Sequence, residues 1–374
     1  MSQHHLLKHL LAASLTLSLP ALADTANVSA YGLANVSYDF INTGTASNGT
    51  KGTDIDKISS NASRVGFKGA EEVGDGLSIN WQIESLIALD NAGGTFATRN
   101  SFAGLSSKSY GSVLLGRYDT PYKIITRKLD NFSDTIADNR TLFGTVKSLS
   151  AGTSFVTKQP DVFSYTTPNL NGFVASFARV NLTETATKAS DKKDNATSFS
   201  AAYDNGTLYG ALGYELHQLD TVRVGGTENA WNVALGYTLD DLSFGAAYEN
   251  TTDTLGKSSS LTTCSALANG ADCFGHSAAY LSAKYQFGSG AVKLAYTKVE
   301  RLAAATNTGA DHATIGYDHR LSKRSTVYAL YTVLTNQSGA NYSLGGAAWS
   351  SGLTSSIGAG STLSALSFGV KQTF

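Results

Sequence analysis

The segment AWNVALGYTL sets Trp231, Val233, Leu235, Tyr237 and Leu239 against Asn232, Ala234, Gly236 and Thr238. Strict alternation of this kind belongs to an extended strand, whose successive side chains point to opposite faces. The scheme recurs from end to end. In GLSINWQIES, Leu77, Ile79, Trp81 and Ile83 oppose Ser78, Asn80, Gln82 and Glu84; at the C-terminus Leu366, Phe368, Val370, Gln372 and Phe374 oppose Ser367, Gly369, Lys371 and Thr373. The polar faces are too hydrophilic for a dry core. Each strand therefore separates an apolar medium from a polar one.

Read this way, the chain predicts sixteen strands, near residues 27–41, 58–70, 75–88, 98–107, 110–118, 160–168, 171–183, 193–204, 206–219, 227–239, 241–252, 275–287, 290–301, 309–321, 323–336 and 363–374. Tight turns such as EEVGDG, TTPNLNG, YDNGT, TLDDL and FGSG alternate with longer loops such as 42–57, 119–159, 253–274 and 337–362. A meander crossing a membrane predicts that alternation; a soluble sandwich gives no reason for it. After the N-terminal segment no window approaches the roughly 18 consecutive apolar residues of a membrane helix, so a membrane protein with this sequence crosses as strands. Only 4 of the 374 residues are proline, as a continuous ladder needing every amide donor requires. An even strand count brings both termini to one side, and the last strand must pair with the first, because open edges in hydrocarbon are costly.

The N-terminus carries Lys8, an apolar run from Leu10 to Leu22 and the small-residue pattern Ala21-Leu22-Ala23. This reads as an export signal over residues 1–23, cleaved after Ala23, with residues 24–374 as one barrel domain. Formal net charge is −1, with no basic footprint for nucleic acid. The only cysteines, Cys264 and Cys273, lie nine apart in a polar stretch of an exported chain, which predicts a disulfide within one loop rather than a metal site.

Four stretches, SRVGFKGAEEVGDGLSINWQIE, TRNSFAGLSSKSYGSVLLGRYDTPY, FSYTTPNLNGF and SFGVKQTF, occur in this order after a signal sequence. With them the chain resembles the general diffusion porins of Gram-negative outer membranes, most closely the trimeric kind common in β-proteobacteria. The resemblance implies an all-β fold: a 16-stranded antiparallel transmembrane β-barrel, in a homotrimer embedded in outer-membrane lipid and lipopolysaccharide. It also implies a third loop folded into the lumen, here residues 119–159, and passive diffusion of small hydrophilic solutes and ions.

The site expectations combine that resemblance with alternation. Arg64 alternates with Val65 and Phe67 and so faces inward, with Lys68 on the same polar face; Arg64 and Arg99 match constriction arginines of the family. Lys158 falls where relatives usually carry a third cation, an arginine. Arg117 also matches, although its alternation with Val113 and Leu115 leaves its direction ambiguous. In the loop, Asp130, Asp134 and Asp138 recur every four residues, which on a short helix puts them along one side. Opposed arginines and aspartates would make a transverse field across a water-filled pore.

No catalytic role is expected. The sequence has no phosphate loop, GxSxG elbow, zinc helix or credible dyad, and no cofactor or metal is called for. Two other readings are a substrate-selective channel on the same barrel, for which Tyr118, Tyr122 and Phe132 would form an aromatic track, and an exported sugar-binding β-sandwich or adhesin. On ion preference, cationic wall residues and acidic loop residues pull in opposite directions, with a slight lean to anions.

Overall fold

The computed structural model describes residues 27–91, 96–144, 154–183, 193–257, 264–345 and 357–374; the expected signal segment 1–23 lies outside them, as do residues 145–153 of the long loop. The strands are β1 (Asn27–Asn42), β2 (Asp54–Ser60), β3 (Arg64–Gly74), β4 (Leu77–Leu86), β5 (Ser101–Ser107), β6 (Gly111–Tyr118), β7 (Gln159–Thr166), β8 (Phe173–Asn181) and β9 (Asp194–Asp204). They continue as β10 (Leu208–Leu219), β11 (Thr227–Leu239), β12 (Leu242–Asp253), β13 (His276–Phe287), β14 (Gly290–Val299), β15 (Ala310–Arg320), β16 (Ser325–Asn336) and β17 (Thr362–Thr373). Each of β3 to β17 is antiparallel to the next, and β17 pairs with β1 from Leu33↔Thr373 to Asn42↔Ser364. Gly32 N–H donates to the Phe374 carbonyl at 2.9 Å and Phe374 N–H to the Gly32 carbonyl at 3.2 Å, so the ladder runs to the last residue. The sheet closes on itself.

β2 and β3 both pair with β1 and are two halves of one stave, which makes the closed barrel sixteen-stranded. The sequence predicts an unbroken strand near 58–70. Instead, three steps along β1, from Val36 to Leu33, match four along its partner, from Ser60 to Arg64. Ala62 absorbs the extra residue with a left-handed φ of 52°. The bulge resolves a conflict of parity: Ile58, 53% exposed, and Phe67, 41% exposed, both face outward, while Arg64 faces in. Simple alternation from Ile58 could not satisfy both.

On the outer face Leu235 is 59% and Phe244 50% exposed, whereas Ala230, Asn232 and Ala234 of β11 are buried on the inner side. No helix among the described residues is long and apolar enough to cross a membrane. Apolar side chains on the outside of a closed ladder match lipid rather than water.

The largest cluster of buried apolar side chains lies on the inner face, where Ile125, Leu129, Phe132, Ile136, Leu142 and Phe143 of the long loop meet the wall. Glycines on the wall make room for it. A Cβ at Gly316 would stand 2.7 Å from the Phe132 ring, and one at Gly213 would stand 2.9 Å from Ile125 Cδ1, so a side chain at either would displace the loop. At the rim of the long loops, Cys264 and Cys273 are joined as a disulfide, with Cα atoms 5.9 Å apart. They pack with Leu219, Leu255, Phe274 and Leu302.

Candidate functional site

After β6 the long loop opens with helix α1 (Pro121–Arg127). Pro121 stands in its first turn, where its missing N–H costs nothing, and Arg127 in its last. The helix stops there because the acids that follow capture local amides. Asp130 accepts from Phe132 N–H at 3.0 Å, and Asp138 from Asp134 N–H and Arg140 N–H at 3.0 Å each. Asp134 takes a left-handed φ of 57°. Short polar side chains bonding nearby backbone compete directly with helical pairing. The three aspartates therefore do not share one side of a helix, contrary to their spacing. They are wrapped in turns leading to a single 3₁₀ turn at Asn139–Thr141.

Their charges are met mainly within the loop. Asp138 is fully buried and takes Arg140 Nη2 at 2.6 Å, Arg140 Nε at 2.8 Å and Arg127 Nη1 at 3.1 Å. Asp134 meets Arg127 Nη2 at 3.2 Å and Arg140 Nη2 at 3.4 Å, but its other oxygen accepts from Arg64 Nη1 of the wall at 3.0 Å. Asn35 Nδ2 adds a bond to the Asp134 carbonyl at 2.6 Å. Arg64 and Asp134 are thus in direct contact, not opposed across open lumen.

The other wall cations divide. Arg99 lies just before β5 and donates Nε to Glu84 Oε1 at 2.5 Å; Glu84 also accepts from Tyr31 OH at 3.0 Å and lies 3.9 Å from Arg64 Nε. Lys158 Nζ is 3.5 Å from Asp119, which is also bonded to Lys123 and Asn100. Arg117 stays out of this group. It stands opposite Ser101, on the side of exposed Leu115, and donates Nε to the Thr98 carbonyl at 3.0 Å. Lys68 is exposed, its ammonium 5.2 Å from the Tyr31 ring centroid. Tyr122, 1% exposed, and Phe132, 0% exposed, are packed between loop and wall, which removes them from any aromatic track.

Sequence reading missed Glu84, Asp119, Lys123, Arg127 and Arg140. Glu84 carried a signal: it stands on the polar face of its strand, in register with Gly66 two residues from Arg64. The loop residues carried none, because their partners depend on how the turns fold.

A Gram-negative porin family profile matches residues 10–339. The chain belongs to that family. This porin is 28% identical over 334 residues to outer membrane porin protein 32 of Delftia acidovorans, covering 88% of this chain and 90% of that protein. It is 29% identical over 166 residues to major outer membrane protein P.IB of Neisseria sicca, covering 44% of each. Among solved structures, the anion-selective porin from Comamonas acidovorans superposes with a TM-score of 0.76 at 23% identity, covering 93% of this chain and all of that one. A Salmonella typhi OmpF complex with daunomycin gives 0.67 at 15% identity, covering 93% of this chain and 98% of that one. The protein is an outer-membrane β-barrel channel for passive diffusion of small hydrophilic solutes.

In the long loop after β6, Asp130 and Lys123 titrate in an accessible range, in the same electrostatic direction. Burial, with the nearby Asp138 charge adding to it, pushes the Asp130 carboxyl up to about 6. Burial pushes the Lys123 ammonium down to about 7, against the pull of Asp119. As pH falls from 8 to 5, Asp130 takes up a proton and loses negative charge while Lys123 gains positive charge. The permeability ratio should move toward anions over that range, and the shift should shrink in Asp130→Asn. A reversal-potential titration that is flat in the wild-type channel would contradict this.

Proposed function

We propose that residues 123–143, together with Arg64, Arg99 and Lys158, form the constriction of the channel, and that it favours anions. The contact that carries this reading is Arg64–Asp134, because it ties the tip of the loop to the wall at β3. The charge balance supports the anion preference. Glu84, Asp119, Asp130, Asp134 and Asp138 are matched by Arg64, Arg99, Lys123, Arg127, Arg140 and Lys158. Six cations against five carboxylates tip the balance positive, and it tips further as pH falls through the ranges of Lys123 and Asp130. The anion-selective porin from Comamonas acidovorans, which has the same fold, agrees with that preference.

The barrel's apolar outer face meets outer-membrane lipid and lipopolysaccharide in this reading, and three barrels associate. Small residues on the outer face of early strands, Ala30, Ala34 and Ala103, permit close packing of walls, whereas Gly104 faces the lumen and the Phe374 ring covers Gly32. Export removes residues 1–23, which the intact mass of the mature protein checks. The function requires no catalysis: solutes pass down their gradients. Planar-bilayer recording under a salt gradient tests the whole reading. Expected are stepwise insertions of three equal conductances and a reversal potential on the anion side. Single-unit insertions would remove the trimer, and a cation-side potential at neutral pH would remove the selectivity.

A further inference from the structure

Three separate points of the long loop meet one patch of wall formed by β10, β11 and β12. Tyr122 comes from the loop's first helical turn, Gly144 from just after its tip, and Phe155 from its return. The Tyr122 hydroxyl donates to one oxygen of Glu249, and Gly144 N–H to the other at 2.7 Å. The Phe155 ring lies 5.7 Å from that of Tyr122 and stacks at 4.4 Å on His217, itself bonded to Glu215 and Glu228. Ser154 Oγ closes the neck on the Gly144 carbonyl at 3.1 Å. Glu249 is fully buried, and among the described residues no cation lies within ion-pair distance of it. A carboxylate in such a place is costly unless its oxygens are bonded, and the wall gains nothing from it without the loop.

We infer that Glu249 is the positioning residue that latches the loop, one carboxylate holding both limbs of its neck so that the lobe between them stays against the wall. The role rests on the constriction reading above. It differs from general support of the fold because Glu249 donates nothing to the strand ladder: its side chain bonds only loop groups. Releasing the latch frees the lobe to move in the lumen, which appears as gating rather than as unfolding of the barrel.

The test compares Glu249→Leu, Glu249→Gln and Tyr122→Phe by single-channel recording, with heat-modifiable migration on gels confirming that each barrel folds. Two buried hydrogen bonds are lost in the leucine variant, so closures at fixed voltage should become about tenfold or more frequent. Tyr122→Phe loses one bond and should give roughly a threefold rise, with the reversal potential unchanged because no charge is altered. If the leucine variant fails to insert, the other two carry the measurement. Deleting residues 131–138 serves as the reference. A rise in conductance there, with all latch variants closing at the wild-type frequency, overturns the latch and leaves the constriction standing. Unchanged conductance on deletion overturns the constriction itself, and the latch with it.

Discussion

Replacing Arg64 and Arg99 together with serine should swing the reversal potential toward cations. Glu84 then loses both of its cationic neighbours, and the Asp134 carboxylate loses its contact with the wall. A unit charge about 6 Å from a passing ion is worth about 0.7 kcal/mol even at the dielectric constant of water. Two such changes favour a cation by about 1.4 kcal/mol and disfavour an anion by about as much, so the cation-to-anion permeability ratio should shift by roughly a hundredfold. The outer face is untouched, so insertion should be normal. At about 1 M salt the Debye length falls to about 3 Å and most of the shift should vanish. Arg→Lys at both positions keeps the charge and should move the ratio far less, although lysine cannot reproduce the fork by which the Arg64 guanidinium turns Nε toward Glu84 and Nη1 to Asp134. Normal insertion with an unmoved potential at low salt would show that these arginines do not face the ion path.

The barrel was legible because its cause is local and repeated. Every strand must present lipid on one side and water on the other, so each carries its own period-two record, broken where bulges intervene, at Ala62 and at the register shifts between Glu72 and Gly74 and between Gly116 and Tyr118. The site was legible where it lies on strands. Arg64 was placed inward from its neighbours alone, and Glu84 could have been placed the same way. Within the loop the same reasoning failed. Spacing every four residues suggests a helix face, but Asp, Ser and Thr side chains offer the backbone alternative partners, and the choice is decided by which arginine each acid meets. Arg127 and Arg140 meet the aspartates through turns no periodicity encodes. Nor could the inward glycines be read as seats for the loop: Gly213 and Gly316 look like ordinary strand glycines until Ile125 and Phe132 are placed beside them.

Asp138→Ala should release the lobe while sparing the barrel. Its carboxylate collects two guanidinium groups and two backbone amides with no exposure to solvent, and it caps the 3₁₀ turn through Arg140 N–H. Removing one partner of such a buried network costs about 3–5 kcal/mol, because the arginines are left with uncompensated charge. The strand ladder shares none of these bonds, so the loss falls on the lobe. Conductance and open-channel noise should rise together, and protease should cut between residues 128 and 143 where the wild-type channel resists. Asp138→Asn keeps size and one acceptor and should fall between. The pH dependence separates this from a general acid effect. Burial would raise the Asp138 carboxyl, but Arg140 and then Arg127 overcome it and hold it well below the usual carboxylate range. A carboxyl with a depressed folded-state value contributes stability that is fully present above its unfolded value, about 3.9, and is lost only as pH falls through the folded one. The wild-type lobe should therefore stay closed from pH 7 down to about 4, even as Asp130 titrates within that range and alters selectivity. Opening near pH 5, with a rise in conductance rather than a change in ion preference alone, would mean that Asp138 does not hold the lobe.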